Sequence, residues 1–270
     1  MKNFLRWWSH MILWLALSMA PVAWGEIGLP AGVQKMTFEV DGVQREALVY
    51  IPASAKTADT PVVFAFHGHG GSARNALRSF AMNEHWPEAI SVYMQGLPTR
   101  GELTDHAGRR DGWQAKAGDE QDRDLKFFDA VLARLKKGYR VDARRIYATG
   151  HSNGGGFTYL LWLTRGEVFA AVAPSAAVAT YAQQLTPKSV MHIAGERDPL
   201  VKFAWQTKMM ETLRHLNVCQ AEGQPWGEHG IKYDSASGTP VVTWIFSGGH
   251  ELDRSALPWM VKFFKEHPAH

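Results

Sequence analysis

An α/β fold is predicted, with a mostly parallel central sheet, an antiparallel N-terminal hairpin and helices on both faces. Three features carry it: two β-rich runs joined by Asp41-Gly42, a series of short apolar runs without alternation, and helical stretches between those runs. Val33 to Val40 and Gln44 to Ile51 are rich in β-branched and aromatic residues, and Asp-Gly suits the positive φ of a tight hairpin turn. Val62 to Phe66, Ile90 to Met94, Ile146 to Thr149, Ala170 to Ala173, Val190 to Ala194 and Val241 to Phe246 follow. They are short apolar runs without alternation, as suits parallel strands covered on both faces.

The clearest helix has Leu125, Phe128, Leu132, Leu135 and Tyr139 on one stripe. Asp119, Glu120, Asp122 and Asp124 stand before or at its start and Lys136 and Lys137 at its end, matching the helix dipole. Further helices are expected from Gly155 to Thr164, from Phe203 to Leu216 and from Pro258 to Glu266. Residues 95 to 116 are polar and glycine-containing, as a loop over a functional site often is.

Composition narrows the class. The chain has 270 residues, 46% hydrophobic and 20% charged, which supplies one large core and excludes a disordered chain. No repeat or linker divides residues 26 to 270, so one domain is expected. Lys and Arg number 29 against 26 Asp and Glu, and the pairs Arg109-Arg110, Lys136-Lys137 and Arg144-Arg145 are scattered. Without a basic stripe, nucleic acid is not an expected partner. Cys219 is the single cysteine, which excludes an intrachain disulfide and a cysteine-based metal cage.

Residues 1 to 25 read as an export signal. Lys2 and Arg6 precede an apolar run from Met11 to Ala20, and Ala23-Trp24-Gly25 presents small residues where a signal peptidase looks. Cleavage is expected before Glu26. The run is about half the roughly 20 apolar residues that span a bilayer, so stable membrane insertion is not expected. The mature chain then carries 27 basic against 26 acidic residues and is expected in the periplasm or outside the cell.

The densest chemical signal is Arg145-Ile-Tyr-Ala-Thr-Gly-His-Ser-Asn-Gly-Gly-Gly, an apolar run entering Gly150-His151-Ser152-Asn153-Gly154 and then a helix. A nucleophilic serine presented above a sheet must occupy a sharp, strained turn, and positions two away on each side must be almost free of side chain. Gly150 and Gly154 meet that need. Acyl transfer also requires donors for a developing oxyanion. His67-Gly68-His69-Gly70-Gly71 follows a buried strand, so the backbone N–H of Asn153 and of His69 are the expected donors, with Gly70 as the alternative second one. His67 and His69 as metal ligands have no acidic or further histidine partner nearby in sequence, and His67 reads as structural.

A serine nucleophile needs a histidine base and a carboxylate behind it, here in the order serine, acid, histidine. Gly195-Glu-Arg-Asp198-Pro-Leu-Val201 places Asp198 just past a strand, with Glu196 as a rival. The preceding strand offers no acid, because no Asp or Glu occurs from Ala170 to Lys188. Among the 12 histidines His250 closely follows the last strand, in a loop made pliable by Gly248 and Gly249. It is the expected general base.

These motifs resemble the secreted α/β-hydrolase esterases of the polyhydroxybutyrate depolymerase and feruloyl esterase type over nearly all of residues 26 to 270. The likeness rests on His67-Gly-x-Gly-Gly, Asp122-Arg-Asp-Leu-Lys-Phe-Phe, Val141-Asp-Ala-Arg-Arg-Ile-Tyr-Ala-Thr-Gly-His-Ser-Asn-Gly-Gly, Gly195-Glu-Arg-Asp-Pro-Leu-Val and Gly248-Gly-His. It implies the α/β-hydrolase fold and a carboxylic ester hydrolase using Ser152, Asp198 and His250, acting through an acyl-enzyme without a cofactor. His69 stands where such depolymerases commonly carry a cysteine, Cys219 has no partner, and the chain ends soon after the last helix. Small or oligomeric esters are therefore expected as substrates rather than a crystalline polyester. Trp113 and Trp226 either stack on an aromatic acyl group or sugar, or belong to the core. A serine peptidase and an inert binding protein of the same fold are the competing readings.

Overall fold

The computed structural model describes residues 28–269, so the export signal expected at residues 1 to 25 lies outside the described residues. Every element belongs to the compact unit Ala31–His270. β1 (Val33–Val40) and β2 (Val43–Tyr50) pair antiparallel around Asp41 and Gly42, whose φ values of 49° and 77° make the expected turn. β3 (Thr60–Phe66), α1 (Ala73–Phe80), α2 (Met82–His85) and β4 (Ile90–Met94) follow. The next stretch carries the two-residue strands β5 (Leu97–Pro98) and β6 (Asp111–Gly112), then α3 (Arg123–Gly138), β7 (Val141–His151), α4 (Asn153–Arg165) and β8 (Ala171–Ser175). The chain continues through β9 (Ser189–Gly195), α5 (Phe203–Leu216), β10 (Gln224–Trp226), β11 (Gly230–Tyr233), β12 (Val241–Phe246) and α6 (Ala256–Glu266).

The main sheet has ten strands in the order β1-β2-β4-β3-β7-β8-β9-β12-β11-β10. Its middle, from β4 to β12, is parallel, and both flanks are antiparallel. Alternation along the strands dresses the two faces differently. Phe64 and Phe66 of β3 meet Phe128 of α3 and Phe157 of α4 on one face. Tyr147 of β7, between Ile146 and Ala148 of that core, points to the other face and stacks on Phe264 of α6 at 4.7 Å. The mostly parallel sheet, the antiparallel N-terminal hairpin and the flanking helices are thus as expected.

Several boundaries differ from the sequence reading. β7 begins at Val141 rather than Ile146, because Val141 pairs with Thr60 ahead of a bulge that restores the register at Val62 and Ile146. α4 starts at Asn153, directly after Ser152, and α6 at Ala256, which leaves Pro258 inside the first turn where its missing N–H costs no helical bond. The pair α1 and α2 and the hairpin β10–β11 were not anticipated. α1 is held by local chemistry: Ser72 Oγ accepts from the Asn75 amide, and Ala81 closes the helix at φ 43°.

The 95–116 loop is anchored by a buried ion pair. Arg45 on β2 donates to Asp124 Oδ1 at 2.8 Å, to the Gln95 carbonyl at 3.1 Å and to the Arg123 carbonyl at 3.3 Å, and its guanidinium lies 4.3 Å from the centre of the Phe127 ring. Asp124 Oδ2 accepts from the Gln114 amide at 2.9 Å, while Gln114 Oε1 accepts from the Asp124 amide at 3.1 Å. Asp124→Ala would leave Arg45, 3% exposed, without its counter-charge. A loss of about 3–5 kcal/mol in urea unfolding is expected. The exposed pair Lys126–Asp41 should contribute under about 1 kcal/mol in the same assay. Among the described residues no helix is long and apolar enough to cross a membrane.

Candidate active site

The ends of β3, β7, β9 and β12 lead into the loops that carry His69, Ser152, Asp198 and His250, all at the carboxyl edge of the parallel strands. Ser152 sits between β7 and α4 with φ 56° and ψ −121°, a backbone region that L residues rarely occupy. The crossing is possible because two neighbours lack side chains. A Cβ on Gly150 would lie 2.2 Å from the Gly154 carbonyl oxygen, and one on Gly154 would lie 2.4 Å from that of Phe66. The Ser152 amide donates to the Ser175 carbonyl at 2.9 Å, which ties the turn to the end of β8.

Asp198, His250 and Ser152 are brought together in one line. His250 Nε2 is 2.7 Å from Ser152 Oγ, and His250 Nδ1 is 2.8 Å from Asp198 Oδ2. The Asp198 side chain is wholly buried, and its Oδ1 accepts from the amides of Leu200 and Val201 at 2.9 Å each. Glu196, the rival acid, is exposed and takes no part in this line. The loop carrying His250 is fixed by Glu251, whose carboxylate accepts from the Gly249 amide at 2.9 Å.

For the two expected oxyanion donors, the amides of Asn153 and His69 donate to no acceptor among the described residues. The Gly70 amide, the alternative, is engaged by the Asp111 carbonyl at 2.6 Å. Asn153 is clasped through its side chain: Oδ1 accepts from the Trp113 amide at 2.7 Å and Nδ2 donates to the Trp113 carbonyl at 3.1 Å. Gly112, just before Trp113, leaves room for this, since a Cβ there would lie 2.6 Å from His69 Nδ1 and 2.8 Å from Asn153 Oδ1.

His67 and His69 face separate partners. The Gly96 amide donates to His67 Nε2 at 3.0 Å, so the ring proton resides on Nδ1 and is donated to the Gly68 carbonyl at 2.8 Å. Burial keeps this ring's pKa below the ordinary histidine value. His69 Nε2 meets Asp105 Oδ2 at 3.1 Å, and this contact, with the Arg110 amide, holds the Asp105 carboxyl down at about 2. The loop from Thr99 to Arg110 is thereby clipped to the His67–Gly71 segment.

Both tryptophans are packed against the protein's own side chains. Trp113 is fully buried: its ring stacks on Phe157 at 5.0 Å, meets Phe66 edge-on at 5.3 Å and donates through Nε1 to the His67 carbonyl at 2.9 Å. Both ring faces are thus committed to the core. Trp226 is on β10 at the outer edge of the sheet, against Trp259, with the ammonium groups of Lys232 and Lys262 over its ring. Of the two readings, core membership is the one this packing matches.

One site residue escaped sequence reading. His151 donates from Nε2 to the His250 carbonyl at 3.0 Å and faces Ser175 Oγ through Nδ1 at 3.2 Å. Burial, reinforced by the nearby His250, lowers its pKa to about 4, and burial alone brings His192 on β9 to about 4. Only adjacency to Ser152 could have marked His151 in the sequence. For both rings the folded pKa lies below the ordinary 6.5, so the unfolded chain binds more protons between these values. Stability should therefore fall as pH is lowered from about 6.5 towards about 4, by up to about 1.4 kcal/mol per pH unit and site. Urea unfolding at pH 7 and 4.5 measures it, and equal stabilities would contradict the buried neutral assignment.

The strand order, with a serine on a strand-to-helix turn at the carboxyl end of a central parallel strand, defines an α/β-hydrolase fold. Comparison with known proteins relates this α/β-hydrolase-fold chain to the feruloyl esterases. It is 26% identical over 238 residues to “Probable feruloyl esterase C” of Aspergillus flavus, covering 82% of this chain and 83% of that protein. Among solved structures, the acetyl xylan esterase from Aspergillus awamori has a TM-score of 0.61 at 11% identity, over 86% of this chain and 99% of its own. A thermostable esterase has a TM-score of 0.63 at 17% identity, over 88% of this chain but 63% of that longer one. The model of the Prolyl oligopeptidase family matches residues 110–187, from β6 to just before β9.

Proposed function

We propose that the chain is an exported serine hydrolase of carboxylic esters, with Ser152 as nucleophile, His250 as general base and Asp198 as its orienting acid. The substrates proposed are short-chain, aryl (feruloyl-like) or hydroxyalkanoate oligomer esters. The observation that carries it is the unbroken hydrogen-bonded line from Asp198 through His250 to a serine held at positive φ. Export rests on the reading of residues 1 to 25, and the ester class on the relatives.

Each reaction step has its group. His250 Nε2 takes the Ser152 proton as Oγ attacks the ester carbonyl, and Asp198 stabilises the imidazolium. The tetrahedral oxygen accepts from the amides of Asn153 and His69, already oriented by the Trp113 clasp and the Asp105 clip. The intermediate expels the alkoxide, which leaves as alcohol with the proton from His250. Water, deprotonated by the same ring, then releases the acid from Ser152.

The test is turnover of p-nitrophenyl acetate, butyrate, octanoate and ferulate by residues 26 to 270, with labelling by a fluorophosphonate. Ester turnover and one label per chain, on Ser152, are expected, both unchanged by chelator. A folded protein that neither turns over any ester nor takes the label contradicts the proposal. A peptidase is the second reading, favoured by the Prolyl oligopeptidase match across the Ser152 turn. Faster cleavage of peptide anilides than of esters would select it.

A further inference from the structure

Next to Asp198 lie three buried polar side chains from three elements, Tyr159 of α4, His192 of β9 and Gln206 of α5, the last of them in contact with Asp198 Oδ2. Tyr159 and His192 are excluded from water entirely, and the proposed mechanism uses none of the three. Tyr159 Oη is 2.7 Å from His192 Nδ1. Gln206 Nε2 donates to the Val201 carbonyl at 2.7 Å and to Asp198 Oδ2 at 3.3 Å. His192 Nε2 and Gln206 Oε1 have no partner at full hydrogen-bond geometry, yet Gln206 is the polar side chain that favours a proton on His192.

The donors can be ordered in one direction. A carboxylate accepts only, so the Gln206 end that meets Asp198 must be its NH₂, which leaves Oε1 towards His192. Oε1 in turn calls for a proton on His192 Nε2. A neutral ring protonated there has a bare Nδ1, which must accept from the Tyr159 hydroxyl. The reverse order would turn an amide oxygen onto the Asp198 carboxylate. In this order the proton assignment of each member agrees with that of its neighbour, and burial makes any unsatisfied arrangement costly.

We propose that Tyr159, His192 and Gln206 form a positioning chain that holds the Asp198 carboxylate at the angle His250 requires. Gln206 is the member in contact with the acid. It also pins the Val201 carbonyl, and so the turn whose amides bind the other carboxylate oxygen. Among the described residues, titratable groups beside the Asp198–His250 pair include His151, from the end of β7, and Glu251, from the loop after β12. Both remain in place when the chain is altered.

The inference rests on the serine-hydrolase reading, so Ser152→Ala is assayed beside the variants on the same ester. Gln206→Met keeps the volume and removes the donor. It is expected to lower kcat about tenfold with KM within about twofold. The acidic limb of kcat/KM should rise by about half a pH unit, because an Asp198 with fewer donors binds the His250 imidazolium more strongly. The low-field proton resonance of His250 Nδ1–H should move as well. A simple packing role would leave limb and resonance unmoved. If Gln206→Met does not fold, Tyr159→Phe removes one oxygen from the far end of the chain and should move the same two signals in the same direction. A folded variant whose acidic limb and resonance match the parent overturns the positioning chain. Turnover that survives in Ser152→Ala overturns the hydrolase reading instead.

Discussion

Ser152→Ala is expected to lower kcat on a p-nitrophenyl ester by at least about 10⁴-fold, with KM changed little. The substitution deletes Oγ and nothing else that holds the turn. The Ser152 amide still donates to the Ser175 carbonyl, and Gly150 and Gly154 still permit the crossing of β7 and α4. Alanine has the same aversion to φ 56° as serine, so the strain at this position is retained and the unfolding midpoint should stay close to the parent. The amides of Asn153 and His69 also remain, and the residual rate should reflect them alone. A variant within tenfold of the parent would rule out Ser152 as the nucleophile.

Asp198→Asn should cost about 10⁴-fold in kcat, for a different reason. The carboxamide fits the same space, and its oxygen can still accept from the Leu200 and Val201 amides. Its NH₂ then occupies the position of Oδ2 and faces His250 Nδ1. A ring that must accept there carries its proton on Nε2, against Ser152 Oγ, and cannot take another. The same NH₂ also confronts the Gln206 donor 3.3 Å from the original oxygen. Steady-state kinetics from pH 6 to 9 check this. An Asp198→Asn variant with parental kcat would show that the His250 tautomer is set by some other group.

Much of this arrangement was legible in the chain because it depends on local constraint. Asp41-Gly42 announces its turn by backbone preference alone, and Gly150 and Gly154 announce theirs by what side chains there would strike. The short, mainly apolar runs Ile90–Met94 and Val241–Phe246 became strands with those very ends. What stayed hidden depends on contacts distant in sequence. Trp113 sits among polar residues, and only the fold reveals that Phe66, Phe157 and the His67 carbonyl enclose it. His151 and Gln206 look like surface residues until β12 and α5 are laid beside β9. The hairpin β10–β11 escaped because Pro225 and Gly230 are strand breakers, and its pairing is supplied by β12.

That hairpin bears on how the molecule behaves in a crowd. The outermost strand is the three-residue β10, and Pro225 in its middle has no amide to offer. At the opposite margin β1 interleaves exposed Lys35 and Glu39 with its apolar residues. A foreign strand arriving at either border meets a missing rung or a charge, which disfavours templated growth of the ladder at both ends. The margins of the sheet, far from the chemistry at its centre, are thus the places where this sequence works against strand-on-strand association.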